Sequence, residues 1–325
     1  MKKNEPLPDW VTNMAKRILD EASRFVIGKR DVLESLLIAL LAGGHVLLQG
    51  APGVAKTHIA RTFASTLGCE FGRIQSTPDL LPVDLIGSFV FDQKTSEFKI
   101  RRGPIFSNIV LIDEINRGMP KTQSATIEVM QERQVTIEGQ TFRLQEPFMV
   151  IATMNPFELE GVYPLTEVQL DRFMLQVALD YPRRDEEREL IDKLSTIETP
   201  NVSKVASAED VRKLAGYLEK VYVNEDVRSY MVDLVRQTRD LKELKLGASP
   251  RALIHLYKAC KARALVDGRG YVIPDDVKYL IEPVLTHRMW LSRESEIEGL
   301  EVNDLVHKMV DGTPIPGMRP AGSTK

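Results

Sequence analysis

With 325 residues and 43% hydrophobic composition, the chain can bury a sizeable core and exceeds the usual size of one domain, so two packed domains are expected. A net charge of −3 and a pI near 6.1 exclude a global electrostatic drive toward nucleic acid or an acidic membrane surface. Cys69 and Cys260 are far apart and lack metal-ligand spacing, Met1 to Asp9 holds no apolar signal region, and the longest apolar run, Leu36 to Ala42, is too short to span a bilayer; these features predict buried thiols and a cytoplasmic protein.

The first part of the chain alternates strand-like and helix-like stretches, the pattern of an α/β domain around a parallel sheet. His45 to Gln49 reads as a buried central strand. It runs directly into Gly50-Ala51-Pro52-Gly53-Val54-Ala55-Lys56-Thr57, which opens a helix. Phosphate oxygens need several convergent backbone N–H donors, and a tight turn into a helix N-terminus supplies them with the helix dipole behind. Gly50 and Gly53 permit the turn, Lys56 brings a point charge to the β- and γ-phosphates, and the Thr57 hydroxyl can ligate Mg²⁺. The usual pattern has Gly before the Lys; Ala55 stands there and keeps its N–H while limiting backbone freedom. ATP with Mg²⁺ is the expected ligand.

A hairpin is expected next, with Phe89 and Phe91 alternating before a polar turn at Asp92 to Ser96 and Phe98 and Ile100 after it. Ile109 to Glu114 (IVLIDE) follows, an apolar strand ending in two carboxylates at the sheet edge where ligands bind in open α/β folds. Asp113 is placed to hold the hydration shell of Mg²⁺, and Glu114 to orient and deprotonate an attacking water. A second hairpin pairs Val135 and Ile137 with Phe142 and Leu144 around Glu138-Gly139. For both hairpins, aromatics packed on the sheet and surfaces reaching toward a partner remain open readings. The next strand, Phe148 to Thr153, leads to Asn155, whose amide could hold the water opposite Glu114.

Beyond about Arg184 the apolar residues take up helical spacing, at Val211, Leu214, Leu218 and Val221 and then Val227, Met231, Leu234 and Val235. Ser207 with Asp210 resembles a capping box, and Ser249-Pro250 marks a helix start. The expected division is an α/β core over 1–184 with two hairpin insertions, a helical domain over 185–310, and a Pro- and Gly-rich flexible tail over 311–325. Arg251 falls in the first turn of its helix, where the macrodipole disfavours a cation; an anionic ligand would explain it, and a side chain swung out to solvent would also serve.

Taken with Leu170-Asp171-Arg172-Phe173 and Ser249-Pro250-Arg251, these motifs occur in the order seen in AAA+ ATPases. GAPGVAKT, LIDEINRGMPKTQSATIEVMQER and YPLTEVQLDRF resemble the MoxR family, and the resemblance covers roughly Phe25 to Ile281. It implies a P-loop NTPase core with a smaller all-α lid, a homo-oligomeric ring, usually a hexamer, and ATP at subunit interfaces. By position, Asn155 is similar to the residue called sensor one, Arg172 to an arginine finger, and Arg251 to sensor two, acting on its own or a neighbouring subunit. For Arg172 an intrachain salt bridge with Asp171 or Glu167 is the alternative. Val26-Ile27-Gly28 resembles the segment lining the adenine pocket, and Gln75 a polar switch that restrains the catalytic Glu. The two hairpins are similar to inserts that project toward the central pore. The implied function is an ATPase chaperone that remodels or matures client proteins, often beside a protein carrying a von Willebrand factor A domain. A nucleic-acid motor and a nucleotide-gated scaffold with slow hydrolysis are the other readings. Lys99, Arg101 and Arg102 on the first hairpin could meet phosphates in the first of these, and the acidic pI and lack of an appended DNA-binding module stand against it.

Overall fold

The computed structural model describes residues 7–156 and 161–315. Helices α1 (Asp9–Ser23) and α2 (Arg30–Leu41) precede β1 (Val46–Gly50), α3 (Lys56–Thr66), β2 (Phe71–Gln75) and a short α4 (Pro82–Ile86). The hairpin β3 (Gly87–Asp92) and β4 (Glu97–Arg102) follows, then β5 (Ile109–Asp113), α5 (Pro120–Glu132), the hairpin β6 (Gln134–Ile137) and β7 (Gln140–Arg143), β8 (Met149–Met154), α6 (Glu167–Leu170) and β9 (Leu175–Leu179). The remainder is helical: α7 (Arg184–Asp192), α8 (Leu194–Glu198), α9 (Ala208–Gly216), α10 (Glu225–Asp240), α11 (Pro250–Val266), α12 (Pro274–Leu285), α13 (Arg293–Ile297) and α14 (Val302–Gly312). A small antiparallel ribbon, β10 (Leu244–Leu246) with β11 (Trp290–Leu291), interrupts it, a feature too short to show as alternation in the sequence. The last helix takes in Asp311 and Gly312 of the expected tail, and 316–325 lie outside the described residues. Among the described residues no helix is long and apolar enough to cross a membrane.

Five strands form one parallel sheet in the order β2-β5-β8-β1-β9. Side chains alternate between its faces. Val46 and Leu48 join a core with α1, α2 and α3, whereas Leu47 joins Val110, Ile112, Val150 and Ala152 on the other face. The first of these cores continues without a break into the helical domain, through Val211, Leu214, Met231, Leu256 and Leu280, so the lid is welded to the sheet's β9 edge. Each fully buried Leu or Ile there contributes about 1.5–3 kcal/mol relative to exposure.

Both hairpins form with the expected pairing. Phe91 faces Phe98 and Phe89 faces Ile100 in the first; in the second, Glu138 and Gly139 both take left-handed backbone, the turn that matches strand twist. Their side chains divide the two open readings. Val135, Ile137 and Leu144 are buried on the core, while Phe91 and Phe98 are 49% and 70% exposed and stack edge to face on each other. Ser207 and Asp210 form the reciprocal capping box. Pro250 does open α11, but Ser249 gives its hydroxyl to Asp171 instead of capping the helix.

Candidate functional site

The loop Gly50–Ala55 joins β1 to α3 at the carboxyl edge of the sheet. Gly50 is required by proximity, because a Cβ there would come within 2.5 Å of the Leu179 carbonyl oxygen on the adjacent strand. Gly53 has φ +83° and Ala55 φ 62°, both left-handed, so the methyl of Ala55 is held in a conformation that glycine adopts without strain. Ala51 and Val54 are buried and pin the loop, leaving Pro52 and Gly53 as an exposed crest. Ala55 has no side-chain oxygen, so α3 begins without a side-chain cap, at a helix N-terminus where the dipole favours an anion such as a phosphate. Lys56 reaches back to donate to the Gly50 carbonyl at 2.7 Å. The segment Val26-Ile27-Gly28 is tied to this helix, since the His58 ring bonds the Phe25 carbonyl at 2.9 Å. Gly28 is left-handed, and the Glu186 carboxylate of α7 lies where its Cβ would be.

At the end of β5, the Thr57 hydroxyl donates to Asp113 Oδ2 at 3.1 Å, and Thr153 at the end of β8 donates to Oδ1 at 3.2 Å. Among the described residues no group of three His, Cys, Asp or Glu is placed to hold a metal. One hydroxyl and one buried carboxylate do fit Mg²⁺, which keeps much of its water and takes further oxygens from substrate phosphates. Glu114 follows in left-handed backbone with its N–H bonded to Thr153 Oγ1 at 2.9 Å, which turns its carboxylate away from the strand line. Gln75 Nε2 donates to Glu114 Oε2 at 2.9 Å, and Arg117 approaches the same oxygen at 3.3 Å. Asn155 sits just beyond β8, half-buried, at this same edge of the sheet.

Arg172 and Arg251 are not part of this cluster. Gly50 is level with Leu179, and Val46 with Leu175, so Arg172, three residues ahead of Leu175, lies at the opposite end of the sheet. Four residue steps of strand put about 13 Å between those levels. Arg172 donates to the Val168 carbonyl at 2.8 Å and leaves its Nε buried without a partner; among the described residues it forms no salt bridge with Asp171 or Glu167. Burial, with a push from nearby Arg251, lowers its pKa. Arg251 does not swing out to solvent but pairs with Asp171 Oδ2 at 2.9 Å.

The family described as ATPase family associated with various cellular activities (AAA) matches residues 45–175, and the AAA lid domain family matches 236–309. The uncharacterised YeaC of Bacillus subtilis is 44% identical over 94% of this chain and 96% of its own. Chaperone MoxR1 of Mycobacterium tuberculosis is 40% identical, covering 93% of this chain and 82% of its own. A crystal structure from Cytophaga hutchinsonii, assigned provisionally as an ATPase, superposes with a TM-score of 0.87 at 39% identity, over 94% of this chain and 96% of that one. The chain is a MoxR-family AAA+ ATPase.

Sequence reasoning missed two parts of this MoxR-family site. Arg73 pairs with Asp113 at 2.8 Å and holds the Gln75 amide oxygen at 3.0 Å, making one chain of contacts from Asp113 to Glu114. A metal's water shell at Asp113 would compete with that ion pair. Asp171, read from sequence only as a neighbour of Arg172, is instead the joint between core and lid. It accepts from Ser249, Arg251 and the fully buried Arg288. Arg288 also donates to His255 Nδ1 at 2.7 Å and to the Phe173 carbonyl. Burial beside Arg288 pushes His255 down to about 3, so it stays a neutral acceptor.

Proposed function

We propose that this protein binds ATP with Mg²⁺ at Gly50–Thr57, hydrolyses it at subunit interfaces of a ring, and uses the cycle to remodel or mature client proteins. The carrying observation is the division of charge between the two ends of the sheet. Lys56, Thr57, Asp113 and Glu114 gather at one end, and Arg172 with Arg251 at the other.

In this reading the loop N–H groups and Lys56 hold the phosphates. Thr57 and Asp113 hold Mg²⁺, which when bound screens the phosphate charge. Glu114 takes the proton of the attacking water, and Asn155 positions that water. Val26-Ile27-Gly28 lines the base. Arg172 and Arg251 act on a neighbour's nucleotide, because their own loop lies a strand's length away. The name Chaperone MoxR1 supports protein clients, with a hexamer and a von Willebrand factor A partner as the finer form of the proposal. The exposed Phe91 and Phe98 fit contact with such a client.

Glu114→Gln tests the chemistry. It is expected to keep ATP affinity within about two-fold while turnover falls at least about a hundred-fold, the scale of losing a positioned base. Retained turnover would remove Glu114 from its role, and lost binding would show that the carboxylate only shapes the site.

A further inference from the structure

Remote from the nucleotide loop, α10 and α11 flank an open groove of about 490 Å³ that reaches Ala42 beyond α2. Ile254, Tyr257, Lys258 and Lys261 line it from α11 at i, i+3, i+4 and i+7, and Arg228, Met231 and Val232 face them from α10. Ile254 is 54% exposed and Val232 36%, so the rim consists of two apolar helix faces in water. Lys261 is the exception in chemistry. It is 8% exposed yet forms no ion pair or hydrogen bond among the described residues, with the Tyr257 ring at 5.5 Å as its recorded contact.

The Lys261 stem is largely covered and its ammonium lines the cavity without a carboxylate, and burial lowers its pKa against a smaller opposing pull from Glu219. Around the cavity stand three cations, Arg228, Lys258 and Lys261, against the single acid Glu219. Arg228 already has Glu225 at 3.3 Å. Lys258 is exposed to water, so Lys261 is the one whose charge calls for an acid from outside. An open groove lined by side chains of two helices suits an extended or helical segment better than an enclosed small molecule.

We propose that the α10–α11 groove docks a segment of a partner protein that inserts apolar anchors between Ile254, Val232 and Tyr257 and sets a carboxylate on Lys261. Such docking is independent of ATP turnover and would bring a partner to the lid.

A displayed random dodecapeptide library selected on the full-length chain tests it. Wild type is expected to enrich peptides with two apolar anchors and an Asp or Glu at fixed spacing. Replacing that acid by its amide should weaken binding about ten-fold on wild type and leave it unchanged on Lys261→Met. Ile254→Asp, a change at an exposed position, should abolish binding of both forms while ATP turnover stays at the wild-type rate. Enrichment without an acidic bias, or equal binding to Ile254→Asp, overturns the proposal. So does failure to enrich any peptide, whether decanoate alone binds, which assigns the groove to small amphiphiles, or Ile254→Asp lowers the assembled mass, which assigns it to a second copy.

Discussion

His45 fixes the start of β1 through its ring. Nε2 donates to the Met130 carbonyl at 2.9 Å, and Nδ1 accepts from the Val150 N–H at 2.9 Å, so both bonds need a neutral imidazole. Burial accordingly pushes its pKa down to about 4. The folded value lies below the unfolded one, so the unfolded chain takes up the proton first as pH falls. The contribution of His45 is fully present above about pH 6.5 and is lost as pH drops toward 4, with about 2 kcal/mol gone by pH 5. Urea unfolding at pH 7 and pH 5 checks this. His45→Gln should be less stable at pH 7 yet lose about 2 kcal/mol less than wild type between the two pH values. Equal losses would place the protonation elsewhere. Gln75 offers a second test at this scale. In the proposed mechanism its bond to Glu114 competes with the water that Glu114 would engage. Gln75→Leu is expected to raise basal ATP turnover roughly five-fold, the rate equivalent of about 1 kcal/mol of hydrogen bond released. Turnover unchanged from wild type would mean Glu114 is not restrained.

At the level of elements, Asp171 joins the α6–β9 turn to α11 and to Arg288 after α12. Asp171→Ala strands Arg288, which is 1% exposed, without its carboxylate. Breaking a buried pair from one side costs about 3–5 kcal/mol, whereas removing both partners costs less than the sum. Urea unfolding of Asp171→Ala, Arg288→Met and the double variant should show that pattern, and an Asp171→Ala loss below about 1 kcal/mol would demote the joint to a surface pair. None of this was legible in the sequence. The partners of Asp171 lie 78, 80 and 117 residues away, beyond the reach of any local period. What was legible had local causes. The runs at β1, β5 and β8 are apolar on both faces, and the loop and DE pair each occupy consecutive positions. Even there the bounds shifted by a residue, with β1 starting at Val46 after His45, whose carbonyl accepts from the Met174 N–H. Edge strand β9 has no such apolar run and shows as a strand only by pairing with β1. In the lid, Leu218 and Val221 keep helical spacing, but the chain tightens into a 3-10 turn over Tyr217–Lys220 and α9 ends at Gly216.

For the whole molecule, the proposed shared site makes the decisive relation one between copies. A single chain has Lys56 and Glu114 at the carboxyl edge of its sheet and Arg172 at the amino edge, and both edges belong to one continuous sheet that holds them apart. Among the described residues the Arg172 Nε has no hydrogen-bond partner, while its Nη1 donates to the Val168 carbonyl. If a neighbour's nucleotide is its target, each working site needs Lys56 from one subunit and Arg172 from the next. Lys56→Ala and Arg172→Ala should each be nearly inactive alone, the first for want of binding and the second for want of transition-state charge. Mixed in equal amounts and allowed to exchange subunits, they should regain activity. A productive site then requires an Arg172→Ala chain beside a Lys56→Ala chain in the right order, about a quarter of positions under random assembly. Turnover near a quarter of wild type, falling on dilution below the assembly threshold, is the expected result. A mixture as inactive as its components would confine both residues to one chain and leave the separation of Arg172 from the loop without a catalytic meaning.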